Sequence, residues 1–112
     1  MADIYYINNQ LFIDGETIDF SHIIKSIKSY EELVLVLITV PKGEINNRNV
    51  YAVNIKNKAI IWRIQEPDLI YDDSPYINFD DLSDSILVGN WNGIFYEISK
   101  YDGSIIRGIQ TR

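Results

Sequence analysis

The chain has no cysteine. That excludes a disulfide framework, a thiolate metal site and a cysteine nucleophile. It also favours a reducing compartment, because small secreted domains commonly depend on disulfide staples. Only one histidine is present, His22. Nucleophilic triads need a base beside the serine, and zinc sites need several imidazoles or thiolates, so His22 reads as a structural or surface residue. The glycines are isolated in the sequence, which leaves no phosphate-cradling loop. The longest apolar run, residues 33–40, is too short to cross a bilayer. The N-terminus lacks the basic and apolar regions of a signal peptide, so a cytoplasmic protein is expected. Alanine is scarce, and Ile, Val, Tyr and Phe dominate the apolar residues, which favours strands over helices.

Positive charge is also in short supply. The formal net charge is −6, which argues against nucleic acid and anionic membrane surfaces as partners and is compatible with a basic protein. Between Arg63 and Lys100 there is no Lys or Arg. That window holds Glu66, Asp68, Asp72, Asp73, Asp80, Asp81, Asp84 and Glu97, interleaved with Tyr71, Tyr76, Phe79 and Trp91. The spacing of Asp80, Asp81 and Asp84 would gather carboxylates for a cation on a helix. Here it falls between two short strands and reads as a solvated turn. No metal, cofactor or catalytic set is expected.

The pattern along the chain is that of short strands and tight turns. Ile4–Ile7, Leu11–Ile13 and Thr17–Phe20 are separated by Asn8-Asn9-Gln10 and by Asp14-Gly15-Glu16. Residues 20–30 carry apolar residues at helical spacing, with Ser21 as a possible cap, yet a strand is the preferred reading. The run at 33–40 is strand-length and apolar on both alternating faces, so both faces must be covered. Asn92-Gly93 is the strongest two-residue hairpin signal. Residues 1–112 therefore form a single all-β domain of about ten antiparallel strands.

Within it the chain repeats itself. Tyr51 through Trp62 aligns without a gap on Tyr96 through Arg107, with Asn57-Lys58 opposite Asp102-Gly103 and Ile60-Ile61 opposite Ile105-Ile106. On these residues, and on Ile86 through Tyr96, segments 23–64 and 76–108 each resemble one four-stranded blade of a PQQ-like or WD-like β-propeller. There is no Trp-Asp dipeptide and no Gly-His pair. Two such units are too few to close a ring. The expectation is two blade-like meanders forming a sandwich, half-barrel or bent sheet.

As a type, a small, acidic, cysteine-free β protein resembles the immunity proteins of bacterial polymorphic-toxin and contact-dependent inhibition systems. That resemblance implies a monomeric, non-catalytic protein that blocks a basic toxin, commonly a nuclease. Asp68, Asp72, Asp73, Asp80, Asp81 and Asp84 would then supply charge, and Tyr71, Tyr76 and Trp91 contact area. The alternative is a propeller-like scaffold module that self-assembles or binds peptides.

Overall fold

Alternating apolar residues and left-handed turn positions fold this chain into antiparallel strands. The computed structural model describes residues 2–68, 73–80 and 84–110, which hold eleven strands and no helix. They are β1 (Ile4–Ile7), β2 (Gln10–Ile13), β3 (Glu16–Asp19), β4 (Ile24–Tyr30), β5 (Leu33–Ile38), β6 (Val50–Asn54), β7 (Ile60–Arg63), β8 (Tyr76–Phe79), β9 (Leu87–Asn90), β10 (Ile94–Ile98) and β11 (Ile105–Gln110). Each strand pairs with its neighbour in sequence, giving a three-stranded meander β1–β3 and two four-stranded meanders, β4–β7 and β8–β11. None is closed into a barrel. Residues 24–30 are strand, as preferred above: burial of Ile24 on one face outweighs the helical spacing.

Strand β5 explains how the sheets stack. All six of its residues are buried. Leu33, Leu35 and Leu37 join Val50, Ala52, Trp62 and Ile64 against Tyr76, Phe79, Val88, Tyr96 and Ile98 of the third sheet. Val34, Val36 and Ile38 join Ile24 and Val53 against Leu11, Ile13 and Phe20 of the first. The middle sheet is thus covered on both sides. The expected face-to-face packing of two meanders is present, and the N-terminal hairpins add a third layer, because the second face of β5 needs apolar cover as much as the first.

The internal repeat is reproduced bond for bond in its turns. Lys58 N–H donates to Asn54 O at 2.8 Å, and Gly103 N–H to Ser99 O at 3.0 Å. Ala59 N–H donates to Asn57 Oδ1, and Ser104 N–H to Asp102 Oδ1, both at 3.0 Å. Lys58 and Gly103 share a left-handed backbone, with φ of 58° and 76°. Between these hairpins lies the contact that locks two sheets together. Trp62 Nε1–H donates to Lys100 O at 2.9 Å, and a Cβ on Gly103 would lie 2.5 Å from the Trp62 ring. Gly103 is therefore required twice, by its φ and by the indole. Gly103→Ala is expected to cost about 2–4 kcal/mol in urea denaturation, from left-handed strain plus overpacking. Lys58→Gly, at the equivalent turn, should gain about 0.5 kcal/mol by relieving the left-handed backbone, offset by loss of the Lys58–Glu16 ion pair at 3.2 Å.

The two copies differ where the stack ends. Ala52 pairs across strands with Trp62, and this pair packs on the third sheet. At the same repeat positions the third sheet pairs Glu97 with Arg107, joined at 2.8 Å. An apolar pair that receives a neighbouring layer is replaced by an ion pair that faces solvent.

Candidate acidic and aromatic partner-binding surface

The residues proposed to meet a partner divide into groups along β8 and its connections. Strand β8 pairs with β9 from Tyr76↔Asn90 to Phe79↔Val88. Asp73 and Trp91 flank the first end, where Trp91 N–H donates to Pro75 O at 2.9 Å. Asp80 and Asp84 flank the other end, where Asp80 N–H donates to Leu87 O at 3.0 Å. At about 3.3 Å per residue, the run from Pro75 to Asp80 separates these ends by about 16 Å. Asp73 and Asp84 are exposed and Asp80 is half-buried. Tyr71, Asp72 and Asp81 lie outside the described residues.

Tyr76 must be reassigned. It is 2% exposed, its ring meets Tyr96 edge-on, and its hydroxyl donates to Gln65 O at 2.7 Å. Burial pushes its phenol well above the ordinary range. It is a core residue and offers no contact area to a partner. Alternation placed it beside polar residues in sequence, but its strand turns that face onto the middle sheet.

Trp91 is the opposite case. It is 69% exposed. Its position follows from a correction to the turn: the β9–β10 connection has three residues, Trp91, Asn92 and Gly93, and only Gly93 has positive φ, at 89°. Gly93 N–H donates to Asn90 O at 2.9 Å, as in a type I turn closed by a left-handed glycine. A two-residue turn would need left-handed backbone at Asn92 as well. The Trp91 main chain stays bonded to Pro75 O, and its indole stands out in solvent.

Beneath this turn is a buried amide network built from Asn47, Asn49, Ser74 and Asn90. Asn49 is 1% exposed. It donates to Ile38 O at 3.1 Å and Tyr76 O at 2.8 Å, and it accepts from Tyr76 N–H at 2.9 Å. Asn47 Oδ1 accepts from Ser74 N–H at 2.7 Å, and Asn90 Nδ2 donates to Ser74 O at 2.9 Å. Ser74 Oγ also bonds Asn90 Oδ1. These side chains bond main-chain groups at and just before the start of β8, and so fix the approach to Asp73 and the root of the Trp91 turn.

The surface around the window is not purely acidic. Asp68 lines an open cleft of about 680 Å³ with Arg48, Arg63, Glu66 and Asp102. Lys25 Nζ donates to Ile77 O at 2.8 Å, and Lys28 Nζ donates to Asp80 O. Among the described residues, no group of three or more His, Asp or Glu side chains could hold a metal ion. No helix among them is long and apolar enough to cross a membrane.

His22, in the connection between β3 and β4, reaches Glu44 through Nε2 at 2.6 Å and Ser21 O through Nδ1. Both ring nitrogens face acceptors, and the bonds to Glu44 and Ser21 raise its pKa above the ordinary imidazole value. The folded pKa is the higher one. This contribution is therefore complete below the unfolded value, near 6.5, and disappears as pH rises through the folded value. A two-dimensional NMR titration should show His22 titrating above an ordinary imidazole, and Glu44→Gln should bring it back down. An unchanged midpoint in that variant would mean that Glu44 does not hold the proton.

Residues 1–108 match the family model described as Domain of unknown function (DUF7957), so the chain belongs to that family. No curated protein and no solved structure matches it.

Proposed function

We propose that this member of the DUF7957 family is a non-catalytic, cytoplasmic binding protein that neutralises a basic protein toxin, of the nuclease kind, by covering its active site. The observation that carries the reading is Trp91: a large indole, 69% exposed, held on a turn rooted in buried hydrogen bonds. Exposed aromatics on rigid supports are the residues that anchor protein interfaces. Asp73 beside it, and a net charge of −6, supply the field that draws and orients a basic partner.

The test is calorimetric binding to the product of the neighbouring reading frame. Trp91→Ala should weaken binding by about 2 kcal/mol or more. Asp73→Lys should act mainly on the association rate and flatten its salt dependence. Unchanged affinity in Trp91→Ala would place the interface elsewhere.

A second reading, a propeller-like scaffold that self-assembles, draws on the bond-for-bond equivalence of the repeated turns. The Glu97–Arg107 pair, standing where Ala52–Trp62 receives the next layer, opposes it. Light scattering decides: a monomer is the expected result, and a stable ring would favour the scaffold.

A further inference from the structure

The open cleft beside Asp68, about 680 Å³ in volume, lies where the second sheet meets the third, and opposite charges enter it from different elements. Arg63 ends β7, and Arg48 precedes β6. Asp102 comes from the β10–β11 turn, and Glu66 and Asp68 from the stretch after β7. Gln65 lines the cleft and ties the two sheets together there. Its N–H donates to Gly103 O at 2.9 Å, and its Oε1 accepts from Ile105 N–H at 2.9 Å.

The two arginines are held in place, yet their charge is unanswered. Arg48 Nε–H donates to Ile64 O at 3.0 Å. Arg63 Nε–H donates to Arg48 O at 2.7 Å, and its Nη2 donates to Asn46 Oδ1 at 2.9 Å. Nη1 of each guanidinium has no acceptor among the described residues. Among those residues, no nitrogen of this pair lies within 4.0 Å of a carboxylate oxygen, so Glu66, Asp68 and Asp102 line the same cleft without neutralising it. Asp102 serves only its own turn, accepting from Ser104 N–H and Oγ–H at 3.0 and 2.6 Å. The meander does not require either arginine. Register sets Arg63 opposite Tyr51 as it sets Gly108 opposite Tyr96. Arg48 stands three residues before Tyr51, as Gly93 does before Tyr96. The third sheet builds the same four-stranded order with glycine at both places.

The lining selects the ligand by both signs of charge. A simple anion would meet three carboxylates, and a simple cation would meet two fixed guanidiniums. A ligand that carries both charges is complementary to the cleft. Its carboxylate suits the planar fork of an arginine, which binds carboxylates through paired N–H groups. Its two charges must be held apart by a spacer, because the opposite charges of the cleft are themselves kept apart. The volume lies within the range of about 300–1,000 Å³ usual for small-ligand sites. We infer that this cleft is a binding site for a short zwitterion, whose carboxylate reaches Arg48 and Arg63 and whose ammonium reaches Glu66, Asp68 or Asp102. The two ends of a short free peptide offer that chemistry, and so do a Glu and a Lys side chain within a longer one.

The test is an NMR titration that follows the Nε–H signals of Arg48 and Arg63. The probes are triglycine with both ends free, its C-terminal amide, its N-acetyl form, and acetyl-Glu-Gly-Lys-amide. Triglycine should move both arginine signals, and the two singly charged forms should bind at least about tenfold more weakly. The blocked Glu-Gly-Lys probe separates the sources: tighter binding than triglycine assigns the cleft to a segment of a partner chain, and weaker binding assigns it to a free peptide. Arg48→Gln and Asp68→Asn, both at exposed positions, should each weaken the better probe at least about tenfold. Should Arg48→Gln disturb the fold, Arg63→Gly, the residue at that register position of the third sheet, gives the same comparison. Glu66→Gln does so for Asp68→Asn. Equal binding of the amide or the N-acetyl form, full binding by folded variants of both charge signs, or arginine signals unmoved by both zwitterionic probes would overturn the inference. None of the probes contains a toxin, so failure here and failure of the Trp91 interface are separable.

Discussion

Trp62→Ala is expected to cost about 3–5 kcal/mol, the largest effect of any single substitution considered for this chain. Trp62 is 6% exposed and sits in the core cluster shared by the second and third sheets. Its removal deletes the indole from that interface, opens a cavity over Gly103, and leaves Lys100 O without its donor. A domain of this size has only about 5–15 kcal/mol to lose, so much of the variant should be unfolded at modest temperature. Trp62→Phe separates the terms: it keeps most of the apolar contact and loses the hydrogen bond, whose net worth is about 1 kcal/mol. Urea denaturation followed by circular dichroism reads both. A cost under about 1 kcal/mol for Trp62→Ala would mean that the two sheets are held together without this contact. A double-mutant cycle with Gly103→Ala should be strongly non-additive, because the clash that penalises the alanine disappears with the ring.

Asn49→Ala is expected to cost about 3 kcal/mol or more, despite removing only a small polar side chain. The amide satisfies three backbone groups, Ile38 O, Tyr76 O and Tyr76 N–H, at a position that is 1% exposed. Leaving buried backbone groups unpaired costs about 1–3 kcal/mol each. Asn49→Asp should be no rescue: it can still accept from Tyr76 N–H, but it cannot donate to either carbonyl, and it buries a charge. The readout is urea denaturation together with hydrogen exchange at the Tyr76 amide, which should lose its protection first. A loss below about 1 kcal/mol would show that water replaces the amide without penalty. Because Asn49 holds the start of β8, the same variant should also loosen the approach to Asp73 and weaken partner binding without touching the surface.

Much of the architecture could be read from the residues because turns and alternation are local. The aligned hairpins kept their register because Asn54, Asn57, Ser99 and Asp102 each bond their own turn. The apolar run at residues 33–40 announced a strand covered on both faces, and Leu33–Ile38 is one, ending two residues earlier. What was not local was harder to read. A gap in Lys and Arg along the chain is not a gap in space: Lys25 and Lys28 arrive from the middle sheet to bond β8, and Arg107 from the end of the chain to meet Glu97. Tyr76 and Trp91 are both aromatics in an acidic stretch, yet one faces a neighbouring sheet and the other stands on a three-residue loop. Asn47 and Asn49 look like loop residues in sequence, and only the fold shows that their amides are buried among backbone groups.

The unequal burial of the two tryptophans has a practical consequence. Trp62 and Trp91 are the only indoles in the chain, one 6% and the other 69% exposed. Indole emission moves to longer wavelength as mobile water surrounds the ring. The protein therefore carries two optical channels. The blue component, inaccessible to acrylamide, follows the seam between the second and third sheets. The red component, readily quenched, follows whatever settles on the β9–β10 turn. Unfolding should extinguish the difference between them, whereas a partner seated on Trp91 should shield the red component alone.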